Sequence, residues 1–411
     1  MPKHKTTFDL IIVGAGPAGS IAALYAKRHG LISLLVDRSK FPRDKTCGDG
    51  LTPQSLEVVR DLGLEAELVS LPGAQFEKVV VGCPSGVTAE IDLRQAKNPA
   101  SRTGYVIRRH VFDDFLFRHA NAAATSCHED FLVEDIVVED GTVRGVTGRH
   151  AATGKRETFH GRIVLGADGH SSVVARRLGL YEADLENSCF AVRQYYRGVA
   201  DLRDGIEVHF LDELNPGYLW IFPAEDGLTN VGVVMPSSDM KSKGINLTSA
   251  FAAIKASSPF DARFAQAEPV GRLTGGHLPL GSTHRRCHGA GYMLVGDAAG
   301  VIDPFTGEGI ANAMISSRIA IETAALACAE RDVSAKSLAR YDKRLWTELG
   351  QELRIGHKLQ KILRFNFVMD FLIRRAAASP VIRESLRAMF VGDISRAALT
   401  GPRYYLRLFF N

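Results

Sequence analysis

The sequence predicts an α/β fold with an antiparallel β-sheet inserted into it and a helical segment at its end. Three observations predict this. A short apolar strand runs through a glycine-rich turn into a helix near residue 10. Residues 131–166 and 190–235 alternate like strands. Beyond about residue 333 the chain reads mainly helical and basic.

Each element follows from its pattern. Residues 8–13 (FDLIIV) read as a short strand whose apolar run from Leu10 to Val13 suits burial on both faces of a parallel sheet. Residues 18–29 read as a helix, and 32–36 (ISLLV) as a second strand ending at Asp37. Together they make a βαβ unit of about 30 residues. Residues 131–166 hold three antiparallel strand candidates. Asp140-Gly141 turns between the first two and Ala151–Lys155 between the next two. Residues 292–296 (YMLVG) form another short buried strand, and Glu308–Ala329 a long helix. No internal repeat or low-complexity tract interrupts this order.

The 411 residues suffice for one large domain or two interleaved ones. A hydrophobic fraction of 45% and a charged fraction of 23% are those of an ordinary globular chain. No apolar run is long enough to span a membrane, and MPKHKTTFDLIIVGAG lacks the pattern of a secretory signal, so a cytoplasmic location is expected. The six cysteines are scattered without a C-x-x-C pair, which argues against zinc sites and a disulfide framework. Most read as small buried residues, with Cys47 the exception to watch. His170, His277, His284 and His288 show no metal-ligand spacing and read as surface or loop residues. The net charge of +4 is uneven: residues 340–411 carry 14 Lys/Arg against 6 Asp/Glu. Such a tail suits an anionic surface, a membrane leaflet rather than nucleic acid. Tyr404–Phe410 is unusually apolar for a chain end and is expected to be covered.

Gly14-Ala15-Gly16-Pro17-Ala18-Gly19 fits G-x-G-x-x-G, and its place between strand and helix, with an acid 18 residues beyond Gly19, makes it a dinucleotide fingerprint. Gly14 permits the tight turn. Gly16 lets backbone N–H groups approach a pyrophosphate, and Gly19 lets the helix pack closely on the strand. Pro17 and Ala18 open that helix, whose N-terminus favours an anion. Asp37, followed by Arg38, is placed to bind ribose hydroxyls. An acid there favours FAD or NAD over NADP; spacing does not choose between those two.

Two further segments bear on that choice: Gly166-Ala167-Asp168-Gly169-His170, and Gly296-Asp297-Ala298-Ala299-Gly300 followed by Asp303–Ile310. With the first fingerprint they resemble the three FAD motifs of glutathione-reductase-type flavoproteins, in the aromatic-hydroxylase branch, over residues 8 to about 330. The resemblance implies a Rossmann-type FAD-binding domain. It implies that Asp168 and Gly169 contact the cofactor, that Gly296 and Asp297 hold the ribityl or pyrophosphate part, and that Gly307, Gly309 and Ile310 face the isoalloxazine ring. A helix start there would lie near the flavin edge where negative charge grows on reduction. Arg109–Asp113 resembles the branch's R-x-x-F/L-D segment, whose Arg contacts FAD; a surface helix position is the alternative for Arg109.

Cys47-Gly48-Asp49-Gly50-Leu51 resembles the C-G-[GD]-G-L segment of geranylgeranyl reductases, and Tyr218-Leu219-Trp220-Ile221-Phe222-Pro223 their Y-x-W-x-F-P motif, with Asn230-Val231-Gly232-Val233 following. Val234 departs from the glycine frequent in that family. The resemblance implies an FAD-dependent reductase that saturates isoprenoid C=C bonds of a prenyl lipid or prenyl quinone, with a lean towards bacterial menaquinone-type substrates. A flavin monooxygenase of the aromatic-hydroxylase type is the alternative. Flavin halogenases carry W-x-W-x-I-P at the aromatic segment, which this chain does not.

On a strand, Tyr218, Trp220 and Phe222 share one face. They line an apolar channel for a prenyl chain, or form a core face against another sheet. Cys47, with Gly48 beside it, contacts the cofactor and stands near the proton path, or is a small residue chosen for fit. No second complete fingerprint exists for NADPH, so the reductant is NADPH bound transiently or a small redox protein. The implied organisation is discontinuous: residues 1–75, 106–189 and 276–332 for FAD, 76–105 and 190–275 for substrate, and 333–411 helical, either lying on a membrane or capping the FAD domain.

Overall fold

The computed structural model describes residues 7–180, 184–362 and 364–391; Tyr404–Phe410 and the last basic residues lie outside these. The first strand, Thr7–Val13, is the centre of the molecule's first sheet. It pairs in parallel with Ser33–Val36 on one side and Arg156–Gly166 on the other, and the latter pairs in parallel with Tyr292–Leu294. Register decides the rest. Val13 stands opposite both Val36 and Gly166, and Gly166 opposite Leu294. Four strands thus end level, and the residues that follow them meet at one edge: Gly14, Asp37, Asp168 and Gly296. That edge is where open α/β sheets bind ligands.

The hairpin 131–139/142–150 extends this sheet from Arg156–Gly166. Asp140 and Gly141 both adopt positive φ, 49° and 72°, as a two-residue turn between twisted strands requires. The helices Pro17–Arg28, Arg109–Ala123 and Ile310–Ala329 cover the sheet, and Leu10, Ile12, Leu35, Ile163 and Met314 are fully buried between them. The long helix begins at Ile310 rather than Glu308, because Gly307 turns the chain at φ 73° and Glu308 instead accepts from the Ala311 N–H. The helix Ala335–Glu348 joins the same core: Tyr341 is buried and its hydroxyl donates to the Leu294 carbonyl at 2.6 Å.

A second sheet of seven strands runs in the order 268–279, 188–197, 228–236, 218–223, 206–209, 78–82, 88–92. It departs from the wholly antiparallel expectation in one pairing: 206–209 lies parallel to 78–82. Those two segments are joined through the first sheet, a crossover long enough to bring them in side by side. The strand Tyr218–Pro223 has two buried faces. Leu219 and Ile221 pack with Val231, Val233 and Phe251, while Tyr218, Trp220 and Phe222 face Cys189, Ala191, Leu280 and Ile302. The helices Gly350–Ile362, Asn366–Ala378 and Pro380–Phe390 follow, and Met369 and Ile373 pack against Cys83 and Ala89 of the second sheet's edge. Among the described residues no helix is long and apolar enough to cross a membrane.

Candidate active site

The glycine turn is defined by what surrounds it. Gly14 has φ 99°, and a Cβ there would lie 2.4 Å from the Ala167 carbonyl oxygen. A Cβ on Gly19 would lie 1.7 Å from the Gly14 oxygen, so helix and strand close only over glycine. Gly16 differs. A Cβ there would meet a single side chain, the Arg43 guanidinium at 3.2 Å. Gly16 is also the N-cap of the first helix and supplies no side-chain cap, with Pro17 at the first turn. An uncapped helix N-terminus facing a guanidinium suits an anion such as a pyrophosphate.

Arg43 is one of three cations at this edge. The buried Asp113 carboxylate accepts from Arg109 Nε and Nη2 at 2.6 and 2.7 Å and from Arg43 Nη1 at 2.9 Å. Arg109 is 3% exposed, which excludes the surface alternative. One carboxylate between two guanidiniums leaves net positive charge beside Gly16. Lys45 Nζ lies 2.8 Å from Asp297 Oδ2. Burial would push the Asp297 carboxyl up, but Lys45, helped by Arg109, more than offsets it and holds the group below the usual range.

The remaining acids accept from protein donors around them. Asp37 accepts from the Ala15 N–H at 2.6 Å and the Ser39 N–H at 2.8 Å. Arg38 beside it is exposed. Asp168 accepts from the Ser172 hydroxyl and the Val173 N–H, both at 2.6 Å, and so braces the start of the helix 173–177. Gly169, at φ 77°, faces open space. Gly296 is where the two long helices meet: its Cβ would lie 3.3 Å from that of Ala18 and 3.1 Å from that of Ala313. His277 and His288 lie on strands rather than loops, and the His277 ring stands 6.2 Å from that of His170. A cleft runs past His170, Asp297, Ala298 and Arg285.

On the other side of the site the second sheet closes in. A Cβ on Gly48 would lie 3.1 Å from the Phe222 ring, and one on Gly307 2.8 Å from the Tyr218 hydroxyl. Tyr218 donates to the Thr306 carbonyl at 3.0 Å, pinning the turn that leads into Gly309 and Ile310. Trp220 Nε1 donates to Asn230 Oδ1 at 2.9 Å. The aromatic face therefore packs, as a core face would, but what it packs against is the Cys47-Gly48 turn and the Gly307 turn. A small apolar recess opens beside it, lined by Pro216, Tyr218, Phe305 and Gln360 among others. Burial pushes the Cys47 thiol up, so it is a thiol rather than a thiolate at neutral pH. Of the other cysteines, Cys83, Cys189 and Cys287 are buried, whereas Cys127 and Cys328 are only partly so.

Sequence reasoning assigned no role to Arg43, Lys45, Asp49, Asp113 or Asn230. For two of them a signal existed. Asn230 sits in LTNVGVVMP, where every neighbour is buried and a polar side chain must find a partner. Asp49 is an acid between two glycines. The cations Arg43 and Lys45 look like ordinary loop residues in one dimension.

Level strand ends, an uncapped helix start, a cluster of cations and an apolar recess across the site define a class: a flavin-dependent oxidoreductase of the dinucleotide-binding α/β type. A family model described as an FAD binding domain matches residues 7–344. Digeranylgeranylglycerophospholipid reductase 1 of Methanococcoides burtonii is 32% identical over 354 residues, 85% of this chain and 82% of that protein. Among solved structures, a geranylgeranyl bacteriochlorophyll reductase-like protein of Thermoplasma acidophilum superposes with a TM-score of 0.83 at 24% identity, over 96% of this chain and 99% of that one. A flavin-dependent brominase shares the fold at 22% identity and a TM-score of 0.79, covering 98% of each chain. The chain belongs to the geranylgeranyl reductase family of FAD-dependent oxidoreductases.

Proposed function

We propose that this protein saturates isoprenoid C=C bonds of a prenyl lipid or prenyl quinone. The observation that carries the reading is the meeting of the aromatic face with the Cys47-Gly48 turn and the Gly307 turn beside an apolar recess. An isolated alkene is unactivated, so the site must exclude water and hold the double bond within about 3.5 Å of the hydride donor. Tyr218, Trp220 and Phe222 supply that apolar wall. Reduced FAD supplies the hydride when bound. Gly14, Gly16, Gly19 and Arg43 bind its pyrophosphate, Asp37 its ribose, and Asp297 and the turn Gly307–Ile310 the flavin end; Arg109 supports Arg43 through Asp113. Cys47, neutral and half-buried, gives its proton to the second alkene carbon. The electrons come from NADPH or from a small redox protein.

A prenyl lipid reaches the enzyme from a membrane. Ile362, Phe365 and Phe367 are 44%, 58% and 73% exposed at the turn between two C-terminal helices, with Lys358 and Lys361 exposed nearby. Asn366 in this turn bonds to Asn215, which precedes Pro216 of the recess. This apolar, basic-rimmed turn suits an anionic leaflet, the inner face of the cell membrane, and puts the recess beside it.

The test is anaerobic incubation of chemically reduced, FAD-loaded protein with geranylgeranyl lipids and with menaquinone, followed by mass spectrometry. Mass gains in steps of two hydrogens are expected and identify the substrate class. No gain there, with one added oxygen when air and NADPH are supplied, overturns the reading in favour of a monooxygenase.

A further inference from the structure

Asp49 is a buried ionisable group to which the reaction above gives no part. It stands two residues after Cys47 in a left-handed turn, at φ 64°, with none of its surface exposed. Its Oδ2 accepts from the Tyr195 hydroxyl at 2.5 Å and from Asn230 Nδ2 at 2.7 Å. The same Asn230 nitrogen donates to the Cys47 carbonyl at 2.9 Å. One amide thus clamps the Asp49 carboxylate to the backbone of the thiol residue. The other oxygen, Oδ1, is buried without a hydrogen-bond partner. A non-glycine residue in the left-handed region costs about 1–2 kcal/mol, and here the anchored side chain holds it.

Burial is the largest influence on the Cys47 thiol and pushes it up; the Arg109 guanidinium and the Asp49 N–H pull it down. Both favour the thiolate. Burial and a neighbouring carboxylate favour the thiol. We propose that Asp49 is a positioning residue whose carboxylate, clamped by Asn230 to the Cys47 turn, keeps the proton on the Cys47 sulfur against the pull of Arg109. This rests on Cys47 as the proton source and not on which lipid is reduced. The groups that face the pair come from every element around it. Arg193 and Tyr195 come from the strand 188–197, Tyr218 from 218–223, Asn230 from 228–236, Arg109 from the helix 109–123, and Lys45 from the same turn. In the step served, the S–H bond breaks, a C–H bond forms at the second alkene carbon, and the thiolate is left beside Arg109.

The thiol can be titrated without substrate, so this test is independent of the reductase reading. The measurement is the ultraviolet thiolate absorbance of the FAD-loaded enzyme, taken as the difference from the matched Cys47→Ala protein across pH. Asp49→Asn removes the charge, and Asp49→Gly removes it while accepting the left-handed backbone, so one of the two survives a folding defect. Both are expected to lower the Cys47 midpoint by about one pH unit, or about tenfold more thiolate at pH 8. Tyr195→Phe deletes an anchor and keeps the charge, and is expected to retain the wild-type midpoint. An unchanged or higher midpoint without the carboxylate overturns the proposal. So does a Tyr195→Phe protein that shifts as far as Asp49→Asn, since a merely loosened turn would do that.

Discussion

Replacing Asp113 with Asn changes one charge and almost no volume. In the native protein the Asp113 side chain is 0% exposed and serves Arg109, 4% exposed, and Arg43, 20% exposed. With the carboxylate gone, the Arg109 guanidinium keeps its place and its charge but loses its counter-charge and one of its two short bonds, since an amide offers a single acceptor oxygen. Removing one partner of a buried pair costs about 3–5 kcal/mol, because the survivor is stranded away from water. Arg43 can turn towards solvent, so its share adds little, and the total stays in that range rather than doubling. Urea unfolding of the FAD-free protein measures this, since bound cofactor would add its own binding energy to the native state. Circular dichroism and tryptophan fluorescence should give coincident transitions with a lower midpoint and an unchanged slope. A loss below about 1 kcal/mol refutes the reasoning: it would mean that Arg109 has a second route to solvation and is not held by a buried pair.

Three other perturbations separate the parts of the site. Gly19→Ala drives a methyl into the Gly14 carbonyl, and the purified protein should lack flavin absorbance, whereas Gly154→Ala, in the turn between two strands where a methyl meets nothing, costs about 1 kcal/mol in backbone strain and should stay yellow. Asp49 has its carboxyl raised from 3.8 to about 6, chiefly by burial. A raised value means that its contribution to stability is present below about pH 4 and is lost as pH rises through 6, to about 3 kcal/mol. The melting temperature of Asp49→Asn relative to wild type should therefore climb between pH 4 and pH 7; an offset that stays flat with pH would count against this. Changing Phe365 and Phe367 together to Ser should weaken flotation with anionic vesicles at least tenfold, given about 1.5–3 kcal/mol for each buried ring. Equal flotation of variant and wild type would place membrane contact elsewhere.

Much of the site was legible because its chemistry is local. The turn Gly14–Gly19 and the acid at position 37 are read along one βαβ unit, and the alternation of Tyr218, Trp220 and Phe222 puts them on one face whatever lies opposite. Arg109 was ambiguous because nothing within a helix tells which side is inside. Its partner Asp113, at i+4, was in view, but Arg43, which completes the group, comes from 66 positions earlier. The tail was read as helical and basic, which holds for its described residues up to 391, yet its first helix turns out to share the core of the first strand, a contact over more than 300 residues.

The sequence by itself therefore determined the kinds of element, the glycines that only a close approach explains, and the family, because each depends on spacing within a few dozen residues. Tertiary structure alone decided which charges meet. Strand register brought Gly14, Asp37, Asp168 and Gly296 to one edge; of the two acids nearest the cofactor motifs, it left Asp168 bracing a helix and paired Asp297 with Lys45. It also buried Asp49 between Tyr195 and Asn230, from strands more than 140 residues away. Burial and the distance between charges set the state of an ionisable group, and both are properties of the folded chain.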